Sequence, residues 1–408
     1  IISEMRTMHE KNLETQLIHI GNGQFQKKIN KSVTVPETLP IYLTSAYALE
    51  DVSSLDEIHA NSAEGYLYSR DAAPNADAVS EIIAKADQGE RGLLFASGMA
   101  AITTTILSFV QTGDHIIASS VLYGGVYSYL SNELARFGVE VSFADLINED
   151  ITPRIKPNTK LVYTETISNP LMEVPDISRI SKEAHAHGLL VLVDNTFATP
   201  VIAKPILLGA DIVLYSATKY LGGHSDIVAG VVVASGELIS KIKRLQILYG
   251  SILSPHDCWL LARSLRTLAL RIKKHSENAL AVAQFLESHP KVEKVFYPGL
   301  ISSPSYELTQ RQFTKGYSGG MLSVNLKGGE KAALALVKAM DMIPFVPSLA
   351  GTSTTVSYPV KTSHRLYSKN EREKLGITDG QLRFSVGLED SCDIINEIAT
   401  SLDDGTNP

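Results

Sequence analysis

A lysine occupies an unusual position in this sequence, just after a short apolar run and just before two glycines. Residues 211–215, Asp-Ile-Val-Leu-Tyr, are apolar and rich in β-branched side chains, which predicts a buried strand. The chain continues as Ser216-Ala217-Thr218-Lys219-Tyr220-Leu221-Gly222-Gly223. An ammonium is costly to bury, and an isolated lysine here would belong to a solvated loop. The neighbours of Lys219 therefore decide whether its amine does chemistry.

An aspartate ends a second apolar run nearby in the sequence. Residues 189–194 read Leu-Leu-Val-Leu-Val-Asp and lead into Asn195 and Thr196. In parallel α/β sheets the carboxyl ends of the strands face one crevice. A lysine and Asp194 on neighbouring strand ends fit a pyridoxal phosphate (PLP) site, in which a lysine forms a Schiff base and an aspartate holds the pyridinium proton.

The run Ser97-Gly98-Met99 lies between a predicted strand, residues 92–96, and a predicted helix, residues 99–110. A helix N-terminus presents free N–H groups and the positive end of its dipole to a phosphate. Gly98 has no Cβ, which allows a close approach of the backbone. The run therefore indicates a phosphate cradle, to which Ser216 and Thr218 are expected to add hydroxyl donors.

Six motifs follow one another along the chain. They are Ser97-Gly98-Met99-Ala100, Tyr123-Gly124-Gly125, Glu165-Thr166-Ile167-Ser168-Asn169-Pro170, Asp194-Asn195-Thr196, Ser216-Ala217-Thr218-Lys219-Tyr220 and Arg383-Phe384-Ser385-Val386-Gly387-Leu388-Glu389-Asp390. In this order they resemble the Cys/Met-metabolism enzymes, the fold-type-I PLP family that contains methionine γ-lyase, cystathionine γ-lyase, cystathionine γ-synthase and the O-acetylhomoserine sulfhydrylases. The resemblance runs from about Leu17 to about Leu402 and is to the two γ-lyases in particular.

The resemblance implies roles for single residues. Lys219 and Tyr123 would be catalytic, Tyr123 stacking on the cofactor ring and moving protons near the γ carbon of the substrate. Arg383, Asn169 and Ser348 would bind the substrate, with the guanidinium forming a fork on its α-carboxylate. Glu165 would support the site rather than react. The implied cofactor-binding set is Ser97, Gly98, Met99, Tyr123, Asp194, Thr196, Ser216, Thr218, Lys219, Tyr68 and Arg70.

The alternation of predicted strands and helices between residues 75 and 266 indicates a mostly parallel sheet covered on both faces. By resemblance this is a fold-type-I domain with a seven-stranded sheet. After residue 266 the pattern changes to a smaller α+β domain with strands at 292–297, 320–325 and 382–386, which alternate as half-exposed strands. The predicted domains are an arm at 1–70, a PLP-binding domain at 71–266 and a C-terminal domain at 267–408.

The arm lacks periodicity and is interrupted by Pro36, Pro40 and Gly65, so we expect an extended segment packed on a partner subunit. In the family a Tyr-x-Arg pair reaches across the dimer to the cofactor phosphate, and Tyr68 and Arg70 match that pair. The resemblance therefore implies a homotetramer built from dimers that share their active sites.

The reaction implied is γ-elimination from a γ-substituted amino acid of the methionine, cystathionine or homoserine type, giving 2-oxobutanoate and ammonia. A γ-replacement enzyme that makes cystathionine or homocysteine remains the alternative. A binding protein without activity is disfavoured, because Lys219, Asp194 and Arg383 are all present.

The part of the pocket beyond the γ carbon departs from the family. Gly125 stands where methionine γ-lyases place a cysteine, and residues 245–250 lack their Lys-Asp pair. Ser128 and Ser353 replace the arginine and glutamate of cystathionine γ-lyases. The substrate therefore stays open among a small thioether, an acyl ester and the hydroxyguanidine of canavanine. The residues expected to line this neutral, hydroxyl-rich region are Tyr127, Tyr249, Ser353, Thr354 and Thr355.

Composition excludes several other classes of protein. The chain has 408 residues with 44% hydrophobic and 20% charged side chains, which is ordinary for a globular protein. A net charge of −7 gives no indication of nucleic-acid binding. No apolar run is long enough to cross a membrane, residues 1–11 lack the apolar core of a secretory signal, and two cysteines are too few for a disulfide framework. A cytoplasmic location is predicted, and no metal, because His185 and His187 have no further ligands nearby.

Overall fold

The computed structural model describes residues 12–20, 36–49, 51–60, 62–365 and 367–404. The expectation that residues 1–11 are not a secretory signal lies outside the described residues, as does part of the predicted arm. In the described part of the chain, no helix combines the length and the apolar character needed to cross a bilayer.

The larger sheet has seven strands in the order β3-β2-β4-β5-β6-β7-β1. All neighbours are parallel except β7, which runs antiparallel to both β6 and β1. The predicted fold-type-I sheet, mostly parallel and seven-stranded, is confirmed. Its strands are β1 Arg91–Phe95, β2 His115–Ser119, β3 Glu140–Ala144, β4 Thr159–Glu165, β5 Leu190–Asp194, β6 Ile212–Ser216 and β7 Gly230–Ala234.

Helices cover both faces of this sheet. Successive side chains of each strand point to opposite faces, and the strands are apolar on both. Val191 and Val193 join the core cluster on one face, and Leu192 joins the cluster on the other. A π-helical turn, Tyr129–Glu133, joins α5 to α6. The helices of this half are α1 Leu13–Ile18, α2 Ser53–His59, α3 Pro74–Ala86, α4 Gly98–Leu107, α5 Gly124–Ser128, α6 Leu134–Arg136, α7 Ile177–His185, α8 Thr199–Ile202, α9 Gly236–Tyr249 and α10 Pro255–Leu265.

The predicted extended arm contains two helices, α1 and α2, in its described part. Helices of six and seven residues complete fewer than two turns, so their apolar positions do not repeat often enough to be recognised in the sequence. The predicted bounds of the three domains stay a prediction.

A second, antiparallel sheet has four strands in the order β10-β11-β9-β8. The predicted smaller α+β unit at the C-terminal end is confirmed. Its elements are α11 Leu268–Ser288, β8 Val292–Phe296, α12 Tyr306–Gln312, β9 Met321–Leu326, α13 Gly329–Ala339, β10 Thr355–Ser357, α14 Lys369–Lys374, β11 Gln381–Ser385 and α15 Ser391–Asp404.

The prediction that these strands are half exposed is wrong for β9 and β11, which are buried along their whole length. Helix α15 contacts both α11 and α13, and α11 and α13 pack directly on β9. Polar side chains of β9 and β11 meet the loop after β4 instead of water, because Ser323 Oγ donates to Pro170 O at 2.7 Å and Arg383 Nη1 donates to Asn169 Oδ1. An alternating pattern cannot distinguish a solvent-facing strand face from one that meets a second domain.

The direction of the strands decides where polar residues can gather. Since β7 alone is reversed, the carboxyl ends of the other six strands of the larger sheet share one edge. Ser97 follows β1, Glu165 and Asp194 end β4 and β5, and Ser216 ends β6. Helix α4 begins at this edge and packs against β6 and β7.

The close packing of the α4 N-terminus against β7 depends on Gly230. A Cβ atom added at Gly230 would lie 2.2 Å from the carbonyl oxygen of Ser97 and 2.9 Å from Ala101 Cβ. Gly230→Ala should therefore displace the start of α4, cost about 1–3 kcal/mol of stability, and lower the affinity for PLP together with the melting temperature.

Gly236→Ala is the matched control, because a Cβ there meets no atom closer than 3.4 Å. Both variants are compared by thermal unfolding and by titration of the apoenzyme with PLP. Equal melting temperatures and equal PLP affinities for the two variants would contradict the role given to Gly230.

Candidate active site

A cavity of about 390 Å³ opens at the carboxyl edge of the larger sheet. Of the fourteen residues predicted to be catalytic or to bind the cofactor or the substrate, twelve line it, and the two that do not are Tyr68 and Arg70. The twelve are Ser97, Gly98, Met99, Tyr123, Asn169, Asp194, Thr196, Ser216, Thr218, Lys219, Ser348 and Arg383.

Lys219 lies on a tight turn after β6, where Gly223 N–H donates to its carbonyl oxygen at 2.7 Å. Its Nζ donates to Ser348 Oγ at 2.9 Å, which joins the large sheet to the segment after α13. Burial lowers the pKa of the Lys219 ammonium, and the positive charge of Arg383 lowers it further. The amine is thus more readily neutral, and more nucleophilic, than a solvated lysine.

Asp194 is held at the end of β5 by its neighbours. Its Oδ1 accepts from Thr196 N–H at 2.9 Å and from Thr196 Oγ1 at 2.5 Å, and its Oδ2 lies 3.4 Å from the Tyr163 hydroxyl. The Thr196 hydroxyl also accepts from Ser216 N–H at 2.8 Å, so it connects β5 and β6. Burial raises the pKa of the Asp194 carboxyl. Such a carboxylate favours a cationic ligand group beside it.

Glu165 connects the cavity wall to Tyr123. Its Oε1 accepts from Tyr123 N–H at 2.7 Å, which anchors the start of α5 to the end of β4. Burial raises the pKa of Glu165 well above its usual value, and the charge of Asp194 acts in the same direction. The Tyr123 ring is 46% exposed at the cavity. A Cβ added at Gly125 would lie 2.6 Å from the ring, so the ring lies close over this glycine.

Arg383 projects from the middle of β11 and is buried. Its Nη1 donates to Asn169 Oδ1 at 2.8 Å, while its Nε has no partner among the described residues. Burial lowers the pKa of Arg383 to about 10, so it remains protonated at neutral pH. A buried guanidinium with a free donor at a cavity is suited to a carboxylate ligand.

Helix α4 begins at the cavity with Ser97 as its N-cap, whose Oγ accepts from Ala100 N–H at 3.0 Å. A Cβ at Gly98 would lie 2.8 Å from Ser216 Cβ, so only glycine allows this close contact of α4 with β6. The N–H groups of Gly98 and Met99, at the start of the first turn, are left for an anion. The Thr218 hydroxyl is not the free donor that the sequence predicts. It already accepts from Ala229 N–H and donates to Ala229 O.

These features together fit PLP. Lys219 offers an amine for the aldehyde, Asp194 a buried carboxylate for the ring nitrogen, the α4 N-terminus a phosphate site, and Tyr123 an aromatic face. Among the described residues, no group of three or more His, Cys, Asp or Glu side chains is arranged to hold a metal ion.

Sequence reasoning missed several residues of the cavity wall. Phe197 was detectable because it directly follows the Asp194-Asn195-Thr196 motif, and Leu349 because it follows Ser348. Thr362 and Ser363 belong to no motif and come from a loop between β10 and α14, so no sequence signal marked them. The unpredicted lining residues are Ile102, Ile167, Phe197, Val228, Pro347, Leu349, Thr362 and Ser363.

The five residues expected around the distal substituent do not line this cavity. Tyr127 stacks on Tyr367 with ring centroids 4.2 Å apart. Thr354 is buried and donates to Glu389 Oε2 at 2.9 Å. Tyr249 is exposed at the end of α9. A cluster of hydroxyl groups in the sequence does not show whether the side chains pack internally or face solvent. Ser353 and Thr355, also expected to line this region, do not line the cavity either.

Tyr68 and Arg70 lie away from the cavity. The Tyr68 side chain is 44% exposed, and the Arg70 guanidinium lies 5.2 Å from the centre of the Tyr68 ring. Neither side chain lines the cavity of its own chain.

Comparison with known proteins identifies the chain. A family model described as Cys/Met metabolism PLP-dependent enzyme matches residues 14–403. L-methionine gamma-lyase of Fusobacterium nucleatum is 39% identical over 400 residues, which cover 97% of this chain and 99% of the relative. Cystathionine beta-lyase of Lactococcus lactis subsp. cremoris is 42% identical and cystathionine gamma-lyase of Bacillus subtilis 40% identical, each over 96% of this chain and 99% of the relative. This chain therefore belongs to the Cys/Met metabolism family of PLP-dependent enzymes, and PLP is its cofactor.

Proposed function

We propose that the protein is a PLP-dependent lyase that eliminates the γ-substituent of an amino acid and releases 2-oxobutanoate and ammonia. The observation that carries the proposal is the convergence of Lys219, Asp194 and Arg383 on one cavity, with Tyr123 at its wall. Relatives named methionine gamma-lyase support this reaction.

Each residue has a distinct task in this proposal. PLP, when bound, supplies the electron sink that makes the Cα proton of the amino acid acidic. Arg383 and Asn169 hold the α-carboxylate and so fix the orientation of the Cα–H bond. The amine of Lys219 removes the Cα proton. A Cβ proton must leave next, so that its electron pair expels the group on Cγ, and the Tyr123 phenol gives a proton to that leaving group. Asp194 keeps a proton on the ring nitrogen by charge pairing.

The wall of the cavity supports a neutral γ-substituent. Apart from Glu165, Asp194, Lys219 and Arg383, the lining side chains are uncharged, and those from the loop at 362–363 are hydroxyls. A thioether or an acyl ester needs no charged partner there, whereas the distal amino acid moiety of cystathionine carries two charges. We therefore propose methionine-type or O-acylhomoserine-type substrates, with canavanine as a polar candidate.

Replacing the lysine tests the assignment of the base. Lys219→Ala should lower kcat by at least about 1,000-fold, because loss of a positioned proton carrier alone costs about 10²–10⁴-fold. Lys241→Ala, which removes an exposed lysine of α9, is the control and should turn over like the wild type. Wild-type turnover by Lys219→Ala, measured as keto-acid release, would disprove the proposed mechanism.

A panel of amino acids tests the reaction. Methionine, O-acetylhomoserine, cystathionine and canavanine are each incubated with the enzyme, and keto acids are identified by chromatography. We expect 2-oxobutanoate from methionine or O-acetylhomoserine. Pyruvate from cystathionine would instead show β-elimination, which the relative named cystathionine beta-lyase makes the second candidate.

Adding cysteine or sulfide to the O-acetylhomoserine reaction tests replacement, since a new thioether or homocysteine without 2-oxobutanoate would contradict elimination.

We further propose an obligate dimer with shared active sites, paired again into a tetramer. The exposed pair of Tyr68 and Arg70 supports this, as do apolar side chains left exposed along the described part of the arm, Ile41, Leu43 and Val52. In such a dimer Arg70 would reach the cofactor phosphate of the neighbouring subunit.

Hybrid dimers test this arrangement. When Arg70→Ala and Lys219→Ala subunits are mixed, one site of each hybrid would contain both wild-type residues, so activity should exceed that of either parent. Mixing Asp194→Asn with Lys219→Ala is the control, because both changes affect the site within one subunit and no hybrid site is repaired. No gain for the first mixture, in samples whose mass shows hybrids, would mean that Arg70 serves its own subunit.

A further inference from the structure

A chain of buried polar groups lies behind Asp194, outside the cavity. It begins at Asp87, the residue after α3, and passes through Tyr215 on β6 to Asn195 and Thr166. These four side chains are each at most 1% exposed. None of them lines the cavity, so the proposed reaction does not use them directly.

The bonds of the chain are short and continuous. The Tyr215 hydroxyl donates to the Asp87 carboxyl, and its oxygen lies 2.6 Å from Oδ1 and 2.7 Å from Oδ2. It accepts from Asn195 Nδ2 at 2.9 Å. Asn195 Oδ1 in turn accepts from Thr166 Oγ1 at 2.6 Å. The N–H of Thr166 donates to the carbonyl oxygen of Asp194 at 2.9 Å, so the chain ends on the backbone of the residue proposed to hold the ring nitrogen.

Asn195 is the fixed point of this chain. Its Nδ2 also donates to Ala203 O at 3.0 Å, and its backbone N–H donates to Leu214 O at 2.8 Å. The amide group therefore has its two donors and its acceptor all engaged. Fully satisfied buried networks are rigid and specify one arrangement.

Stability does not explain the presence of Asp87. Burial raises the pKa of Asp87 to about 7, against the opposing effects of the Tyr215 hydroxyl and the charge of Lys204. Its hydrogen-bond partner is a neutral phenol, and a buried carboxyl without a bonded cation costs free energy that apolar side chains would not. Because the buried Asp87 carboxyl does not repay its cost in stability, its hydrogen-bonded connection to Asp194 indicates a positioning role.

We propose that Asp87, Tyr215, Asn195 and Thr166 are positioning residues that lock the end of β5, so that the Asp194 carboxylate is held in one orientation toward the ring nitrogen of PLP. The inference rests on the proposed role of Asp194. It predicts that breaking the chain changes how the cofactor is held, whereas the loss of a buried hydrogen bond far from Asp194 does not.

The decisive variant removes both polar partners at once. In Asp87→Ala/Tyr215→Phe no buried carboxyl is left unpaired, so the protein should fold, with a melting temperature lowered by the one Asn195 Nδ2–H that loses its acceptor. Asn195 nevertheless loses its anchor, and the affinity of the apoenzyme for PLP should fall by about tenfold, the size of one lost buried hydrogen bond. The circular dichroism of the bound cofactor should change as well.

Two single variants complete the test. Thr166→Val breaks the chain on the other side of Asn195 and should shift the same cofactor signals. Tyr297→Phe is the matched control, because Tyr297 is a buried tyrosine whose hydroxyl donates to Gly319 O at 3.0 Å in the C-terminal half. It should leave the affinity for PLP and the cofactor signal unchanged.

Asp194→Asn separates the two ways in which the inference could fail. If Asp194→Asn alters the cofactor signal while the double variant and Thr166→Val both match Tyr297→Phe, the positioning role is wrong and the role of Asp194 stands. If Asp194→Asn also leaves the signal and the PLP affinity unchanged, the role of Asp194 itself is wrong, and the positioning inference falls with it.

Discussion

The site depends on keeping four ionisable side chains out of water within one cavity. The charge of Arg383 lowers the pKa of the Lys219 ammonium, and the charge of Asp194 raises the pKa of the Glu165 carboxyl while that of Arg383 lowers it. Each of the four has a specific neutral partner that makes its burial possible: Ser348 for Lys219, Asn169 for Arg383, Thr196 for Asp194, and the Tyr123 N–H for Glu165. The charges are therefore paired with dipoles and not with one another, which leaves them available to a charged ligand.

The sheet topology makes this arrangement possible. Strand ends that share a direction bring Ser97, Asp194 and Ser216 to one edge although they are far apart in sequence. That part of the site could be predicted, because a polar residue directly after a buried apolar run marks a strand end whatever the rest of the fold.

Contacts between the two sheets could not be predicted in the same way. Polar residues on β9 and β11 produce the same alternation whether they face water or a second domain, so Arg383 was placed by resemblance and not by burial. Thr362 and Ser363 reach the cavity from a loop without any periodic signal. Tyr127 was assigned to the pocket because of its position near Tyr123, but an aromatic ring also gains by stacking on another ring, and Tyr367 provides one.

The hydrogen bond between Arg383 and Asn169 joins residues 214 positions apart. The Lys219 turn likewise depends on a distant segment, because Lys219 Nζ donates to Ser348 Oγ, 129 positions later. Both halves of the chain therefore have to be in place before the amine and the guanidinium face each other across one cavity, so the catalytic base and the group proposed to select an α-amino acid are assembled by the same packing of the two sheets.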